Sequence, residues 1–228
     1  YSGCDSIIET ILTVNPLPYD LEIFSSVDSF IDYRDGKIYQ TVQIGNQCWM
    51  AENLAYLPSV GPPDSGSLTL PHYYVYDYSG TNVPDAKATY NYQTYGVLYN
   101  WMAATNGVAS SQSVPSGVQG ACPSGWHVPN SIEWNILDNY LGGYLIAGGK
   151  MKETGTSHWA SPNIGATNSS GFTGLPGGLC SFVTDSFMNI NWGGIWWTSS
   201  LSLPDTAQYH KITYSAIYAT FSHYNNAM

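Results

Sequence analysis

The chain has 228 residues, 43% of them hydrophobic, and carries 6 Lys plus Arg against 16 Asp plus Glu, a formal charge of -10. That length can bury a core of its own, while the acidic balance speaks against a phosphate backbone or an anionic membrane surface, which need a basic stripe to displace counterions. Charged residues make up only 10% of the chain beside 19 Tyr, 8 Trp and 23 Gly, the composition of an extracellular or cell-surface protein whose surface is solvated by amides and hydroxyls.

Residues 6–14, SIIETILTV, read as an apolar β-branched strand that stops at NPLP, where two prolines break pairing. Residues 1–18 are therefore expected to be the end of a preceding β-module and a linker. No basic segment followed by an apolar one opens the chain, which reads as a mature or excised piece, and no run of about 18 apolar residues predicts a membrane insertion. From Phe30 the sequence FIDYRDGKIYQTVQIGNQCWM predicts a β-hairpin turning at Asp35-Gly36, with Ile38, Gln40, Val42 and Ile44 alternating against Tyr39, Thr41 and Gln43.

GPPDSGSLTLP is a loop, and HYYVYDYSG after it predicts a strand with Tyr74, Tyr76 and Tyr78 on one face. GVLYNWMAATNG predicts a short helix closed by Asn106-Gly107. In PSGWHVPNSIEW, Asn130 and Glu133 have capping-box spacing, and Trp134, Leu137, Tyr140 and Leu141 continue as an apolar helical stripe that Gly142-Gly143 ends. From Gly148 onward the chain is loop-rich and then β, with GIWWTSS, QYHKITY and AIYATFSHY as strands. The pattern is α+β, with few short helices, β-hairpins and long loops.

Several residues invite a chemical reading. His127 could be a general base or a metal ligand, or a histidine fixed in the turn before a helix; no second ligand lies at zinc spacing and neither H-E-x-x-H nor G-x-S-x-G occurs. No catalytic residue is nominated. In SPNIGATNSSGF, Asn163 and Asn168 are hard oxygen ligands suited to Ca2+, with Asp185 or Asp205 supplying charge; the alternative is that their amides satisfy their own loop. Tyr74, Tyr76 and Tyr78 are the candidate ligand-binding row, able to stack on a sugar or a partner surface, or else the half-buried face of a strand. Adjacent Trp196 and Trp197 are expected to point one into the core and one outward. The four cysteines, Cys4, Cys48, Cys122 and Cys180, contain no C-x-x-C and allow three pairings.

The segments DGKIYQTVQIGNQCWMAENL, GVLYNWMAA, CPSGWHVPNSIEWNIL, AGGKMKETGTSHWASPNIGATNSSGFTGLPGG and WWTSS, in this order, resemble the Fibrobacter succinogenes major paralogous domain, found in exported proteins of Fibrobacter and Bacteroidetes. The resemblance runs from about Asp28 to Met228. It implies a C-type-lectin-like fold in the variant used by formylglycine-generating enzymes, whose helix start Pro129 to Trp134 resembles. SGCDSIIETILTVNP resembles the end of repeat modules in large Bacteroidetes surface proteins. Family members usually continue into a final strand ending in a Gly-Phe-Ser-Val-Arg-Cys-like segment, which implies a partner for Cys122 beyond Met228 and, with Cys4 in the preceding module, a Cys48–Cys180 disulfide. A formylglycine-generating reaction would need a cysteine pair in the late β-region, where only Cys180 lies. The implied function is a non-enzymatic interaction or adhesion module binding glycan or protein, without a cofactor unless Ca2+ binds. The alternatives are a structural subunit of a surface filament or assembly and a formylglycine-generating-type enzyme.

Overall fold

The computed structural model describes residues 28–109, 112–181, 183–203 and 206–225. Residues 1–18, Cys4 and Asp205, about which the sequence raises expectations, lie outside them. The described residues form a mixed α+β structure of short helices and several small antiparallel sheets.

β1 (Asp28–Asp32) and β2 (Lys37–Ile44) make the expected hairpin, with Asp32 opposite Lys37. Gly36 sits at φ 77° and donates its N–H to the Asp32 carbonyl at 2.7 Å, the backbone that the Asp-Gly signal anticipates. β3 (Gln47–Met50) returns along β2. The inward face changes along β2: Ile38 is 55% exposed, whereas Tyr39 is buried and its hydroxyl accepts the Ala55 N–H at 2.9 Å, and at the far end Ile44 is buried in the core with Val42 packed against it.

The strand expected to carry three tyrosines is only β4 (Tyr73–Tyr74). Asp77 takes a left-handed φ of 62° and Tyr78 donates its N–H to the Val75 carbonyl, so the chain turns before a longer strand can form. Two short helices follow, α1 (Val83–Lys87) capped by Asn82 and α2 (Tyr90–Tyr95) capped by Thr89. The predicted GVLYNWMAATNG helix divides into β5 (Leu98–Tyr99), paired with β4, and α3 (Trp101–Thr105), which starts at the Asn100 cap and stops at Asn106 with φ 55°.

α4 (Ser131–Tyr140) carries the expected capping box at Asn130 and Glu133, and Trp134, Leu137 and Leu141 are buried beneath it. Tyr140, expected in that stripe, is 66% exposed. Gly142 and Gly143, at φ 100° and 98°, end α4 and turn the chain into α5 (Tyr144–Met151), which the sequence patterning did not reveal. β6 (Gly177–Ser181) and β7 (Ser186–Ile190) form a further unanticipated hairpin. β8 (Gly193–Leu203), β9 (Thr206–Thr213) and β10 (Ala219–Asn225) form the expected meander, β9 in the middle.

The core is aromatic. Trp49, Trp134, Phe172 and Trp196 interlock, with ring centroids 4.8 Å apart for Trp49–Trp134 and 5.5 Å for Phe172–Trp196. A second cluster gathers Tyr39, Met50, Leu54, Val97, Tyr99 and Trp126. Between α5, the 160s loop and the end of β9 lies a fully buried lysine, Lys152, whose ammonium donates to the carbonyls of Ile164, Thr213 and Ala216 at 2.8, 2.9 and 2.8 Å. Burial pushes its pKa down to about 8.

Candidate functional site

A cavity of about 150 Å3 opens where β4–β5, the start of α3, β6 and the β8–β9 pair meet the 66–68 loop. One side chain organises its mouth. Asn100 caps α3 by accepting the Ala103 N–H, accepts the His72 N–H with the same oxygen, and donates to the carbonyls of Ser67 and Leu70 at 2.8 and 2.7 Å. The loop over the cavity is therefore tied to the helix start by a single amide.

The walls include two indoles whose polar edges are already used. Trp101 donates Nε1–H to the Thr198 carbonyl at 3.1 Å and Trp197 to the Tyr99 carbonyl at 2.8 Å, so both indoles turn apolar faces to the space. Tyr209 meets Trp197 edge to face at 6.0 Å. Tyr74, Leu98, Leu179 and Ile195 complete the lining together with Cys180. Among the described residues no carboxylate, histidine or basic side chain lines it. Burial pushes the Cys180 thiol up to about 12 and the Tyr74 hydroxyl up to about 12. A thiol held protonated is a poor nucleophile. The site can hold an apolar group of about one ring; it offers little for acid–base or nucleophilic chemistry.

The structure separates the tyrosine row. Tyr74 lines the cavity, Tyr76 packs on Phe187 with centroids 5.1 Å apart, and the Tyr78 hydroxyl bonds the Asn82 backbone beside the second core cluster. Tyr74 and Tyr76 pack with the first core cluster and Tyr78 with the second, because the turn at Asp77 replaces the alternation on which the row depended. Trp196 and Trp197 point to opposite sides, Trp196 into the core as expected, but Trp197 is not an outward ring: it packs against the second core cluster and lines the cavity.

The expected Cys48–Cys180 disulfide is not formed; both residues are thiols. Cys48 belongs to the second core cluster, whereas Cys180 packs against the first, 3.9 Å from the Pro63 carbonyl. The Asn and Asp residues nominated for Ca2+ are not assembled into a ligand set. Asn168 accepts the Thr173 N–H and donates to its hydroxyl, and Asn163 donates to the carbonyls of Glu153 and Gly155. Asp185 occupies the β6–β7 turn at φ 47°, its backbone role being the left-handed residue of that hairpin. Among the described residues no three His, Cys, Asp or Glu gather to hold a metal ion.

His127 lies 2.9 Å from Glu133, both buried, in the turn that opens α4. His210 pairs with Asp138 at 3.1 Å and stacks on Trp134 with centroids 4.2 Å apart. Neither pair reaches the cavity. Asn100, Trp101 and Tyr209, which shape the site, were not nominated from sequence. The Asn before Trp101 could have been read as a helix cap, but its grip on the 66–70 loop is long-range and leaves no local pattern.

The family described as the Fibrobacter succinogenes major domain matches residues 42–227. No curated protein and no solved structure matches the chain.

Proposed function

The chain belongs to the Fibrobacter succinogenes major domain family, and from that premise we propose a non-enzymatic interaction module of C-type-lectin-like fold, displayed at a cell exterior, that binds by seating an apolar group in the cavity beneath Asn100. The observation that carries this reading is the lining: rings and aliphatic side chains, the two indole N–H groups already bonded, with no charged side chain among the described residues. Such a surface rewards an apolar occupant and penalises one that brings unpaired hydroxyls. An engineered cavity of about 150 Å3 in another protein holds benzene, so the volume here suits one aromatic or branched aliphatic side chain offered by a partner protein, an anchor of the kind that dominates interface energies. The Cys180 thiol pushed up by burial, with no acid–base pair among the described lining residues, supports binding rather than catalysis.

Indole is a suitable probe. Its binding should raise the melting temperature in proportion to occupancy, and Cys180→Phe, which fills the cavity, should remove that rise. A melting temperature unmoved by indole in the wild-type protein would overturn the reading.

A second reading, a subunit of a surface assembly, draws on the α4–α5 face, where Ile136, Tyr140, Tyr144, Leu145 and Ile146 are exposed together. The size distribution in solution tests it, with Tyr144→Ser and Leu145→Ser expected to dissociate any oligomer.

A further inference from the structure

The turn between β7 and β8 raises a tryptophan out of the surface on a rigid mount. Asn189 and Asn191 adopt left-handed φ values of 62° and 66°. Trp192 donates its N–H to the Asn189 carbonyl and accepts the Tyr214 N–H, both at 3.0 Å. Asn191 beside it donates to the Pro176 carbonyl at 2.9 Å and accepts the Ala160 N–H at 2.8 Å. The indole nevertheless stays 56% exposed, backed by Tyr214 with ring centroids 5.8 Å apart. Leaving so large a ring in water on so fixed a backbone has no folding benefit.

Its neighbours are planar and polar. Asn191 accepts the Tyr95 hydroxyl at 3.1 Å, and the Tyr95 ring meets His158 edge to face at 5.9 Å. His158 Nδ1 lies 2.8 Å from Glu153 Oε2, with side-chain exposures of 24% and 25%. Glu153 engages Nδ1, which leaves Nε2 of His158 for a ligand. Through Asn191 and Tyr95 the turn that carries Trp192 thus connects to the His158–Glu153 pair; an exposed ring face, a donor and a carboxylate together are complementary to a pyranose, which offers a C–H face for stacking and adjacent hydroxyls that both donate and accept.

We propose that Trp192 is the stacking face of a neutral-saccharide site whose polar rim is the His158–Glu153 pair. A protein partner laying apolar surface over this region would bury that pair without hydroxyls to bond it. An acidic saccharide would face Glu153 and a chain of formal charge -10. None of Trp192, Tyr214, His158 and Glu153 lines the cavity beneath Asn100, so this site stands or falls independently of it.

The test is calorimetric titration of the whole chain with three neutral hexasaccharides, cellohexaose, maltohexaose and mannohexaose, and with hexagalacturonate as the acidic comparator. At least one neutral probe is expected to bind and hexagalacturonate is not. Trp192→Ala should weaken the binding at least about tenfold, while Trp192→Phe keeps it within about threefold. Glu153→Gln should weaken it without lowering the indole response of the cavity. No heat from any neutral probe, or undiminished binding by Trp192→Ala, would overturn the proposal; an unchanged melting temperature in each variant separates lost contact from lost fold.

Discussion

Nε2 of His127 lies 2.9 Å from one carboxylate oxygen of Glu133, while the other oxygen accepts the Asn130 N–H at 2.8 Å. The same glutamate thus closes the capping box of α4 and receives the histidine of the preceding turn, although its side chain is almost fully buried. Glu133→Ala would strand the Asn130 N–H and the His127 ring together, and should cost about 3 kcal/mol. Urea unfolding checks this; a loss below about 0.5 kcal/mol would show that the pair adds nothing to the cap.

Asp32 closes the first hairpin. Burial opposes its charge, but the Arg34 side chain, the Arg34 N–H and the guanidinium charge outweigh it and bring its pKa below the ordinary carboxylate value. A depressed carboxylate contributes stability that is present above the unfolded pKa near 3.8 and is lost as pH falls through the folded value. Asp32→Asn should therefore flatten the stability profile below about pH 4 and weaken the protein at pH 7. Denaturation midpoints across that range give the comparison, and parallel acid profiles for the two proteins would contradict it.

The buried tyrosines set the alkaline limit. Burial pushes Tyr74, Tyr92 and Tyr95 up to about 12. These acids keep their protons in the folded chain after the unfolded chain has released them near pH 10, so stability falls as pH rises above about 10. Tyrosinate absorbance should show these three rings ionising above pH 10, together with loss of far-UV dichroism. Ionisation of Tyr74, Tyr92 and Tyr95 near pH 10 with the dichroism intact would contradict the packing described.

Lys152 is bonded to three carbonyls from two segments, Ile164 of the 160s loop and Thr213 and Ala216 at the end of β9 and in the turn after it, and among the described residues to no carboxylate. Lys152→Met keeps the stem but removes every donor, leaving buried acceptors of Ile164, Thr213 and Ala216 unmet, at a cost of about 2–4 kcal/mol. Thermal unfolding distinguishes this from the opposite outcome, a more stable methionine variant, which would mean that burying the ammonium costs more than its bonds return.

What could be read from the sequence was local. The Asp35-Gly36 turn and the Asn130–Glu133 box each lie within a few residues, and both formed as expected. The β8–β10 meander was legible from its β-branched and aromatic runs. α5 was not, because its cap is Gly143, which offers no side-chain bond, and Gly148 and Gly149 interrupt its middle. Those glycines answer to distant partners: a Cβ on Gly148 would collide with the Tyr218 carbonyl, and one on Gly149 with the Gly165 carbonyl. The cavity was invisible for the same reason. Its lining comes from segments as far apart as Gly66 and Tyr209, and only Tyr74 among the nominated tyrosines reaches it.

The central claim is that the cavity beneath Asn100 accepts an apolar ring. Methyl resonances of Leu98, Leu179 and Ile195, which line it, report its occupancy directly when indole is titrated into the whole chain. The account predicts saturable shifts confined to these methyls and their neighbours, abolished by Cys180→Phe; shifts that are absent, or that persist unchanged in the filled variant, would contradict it.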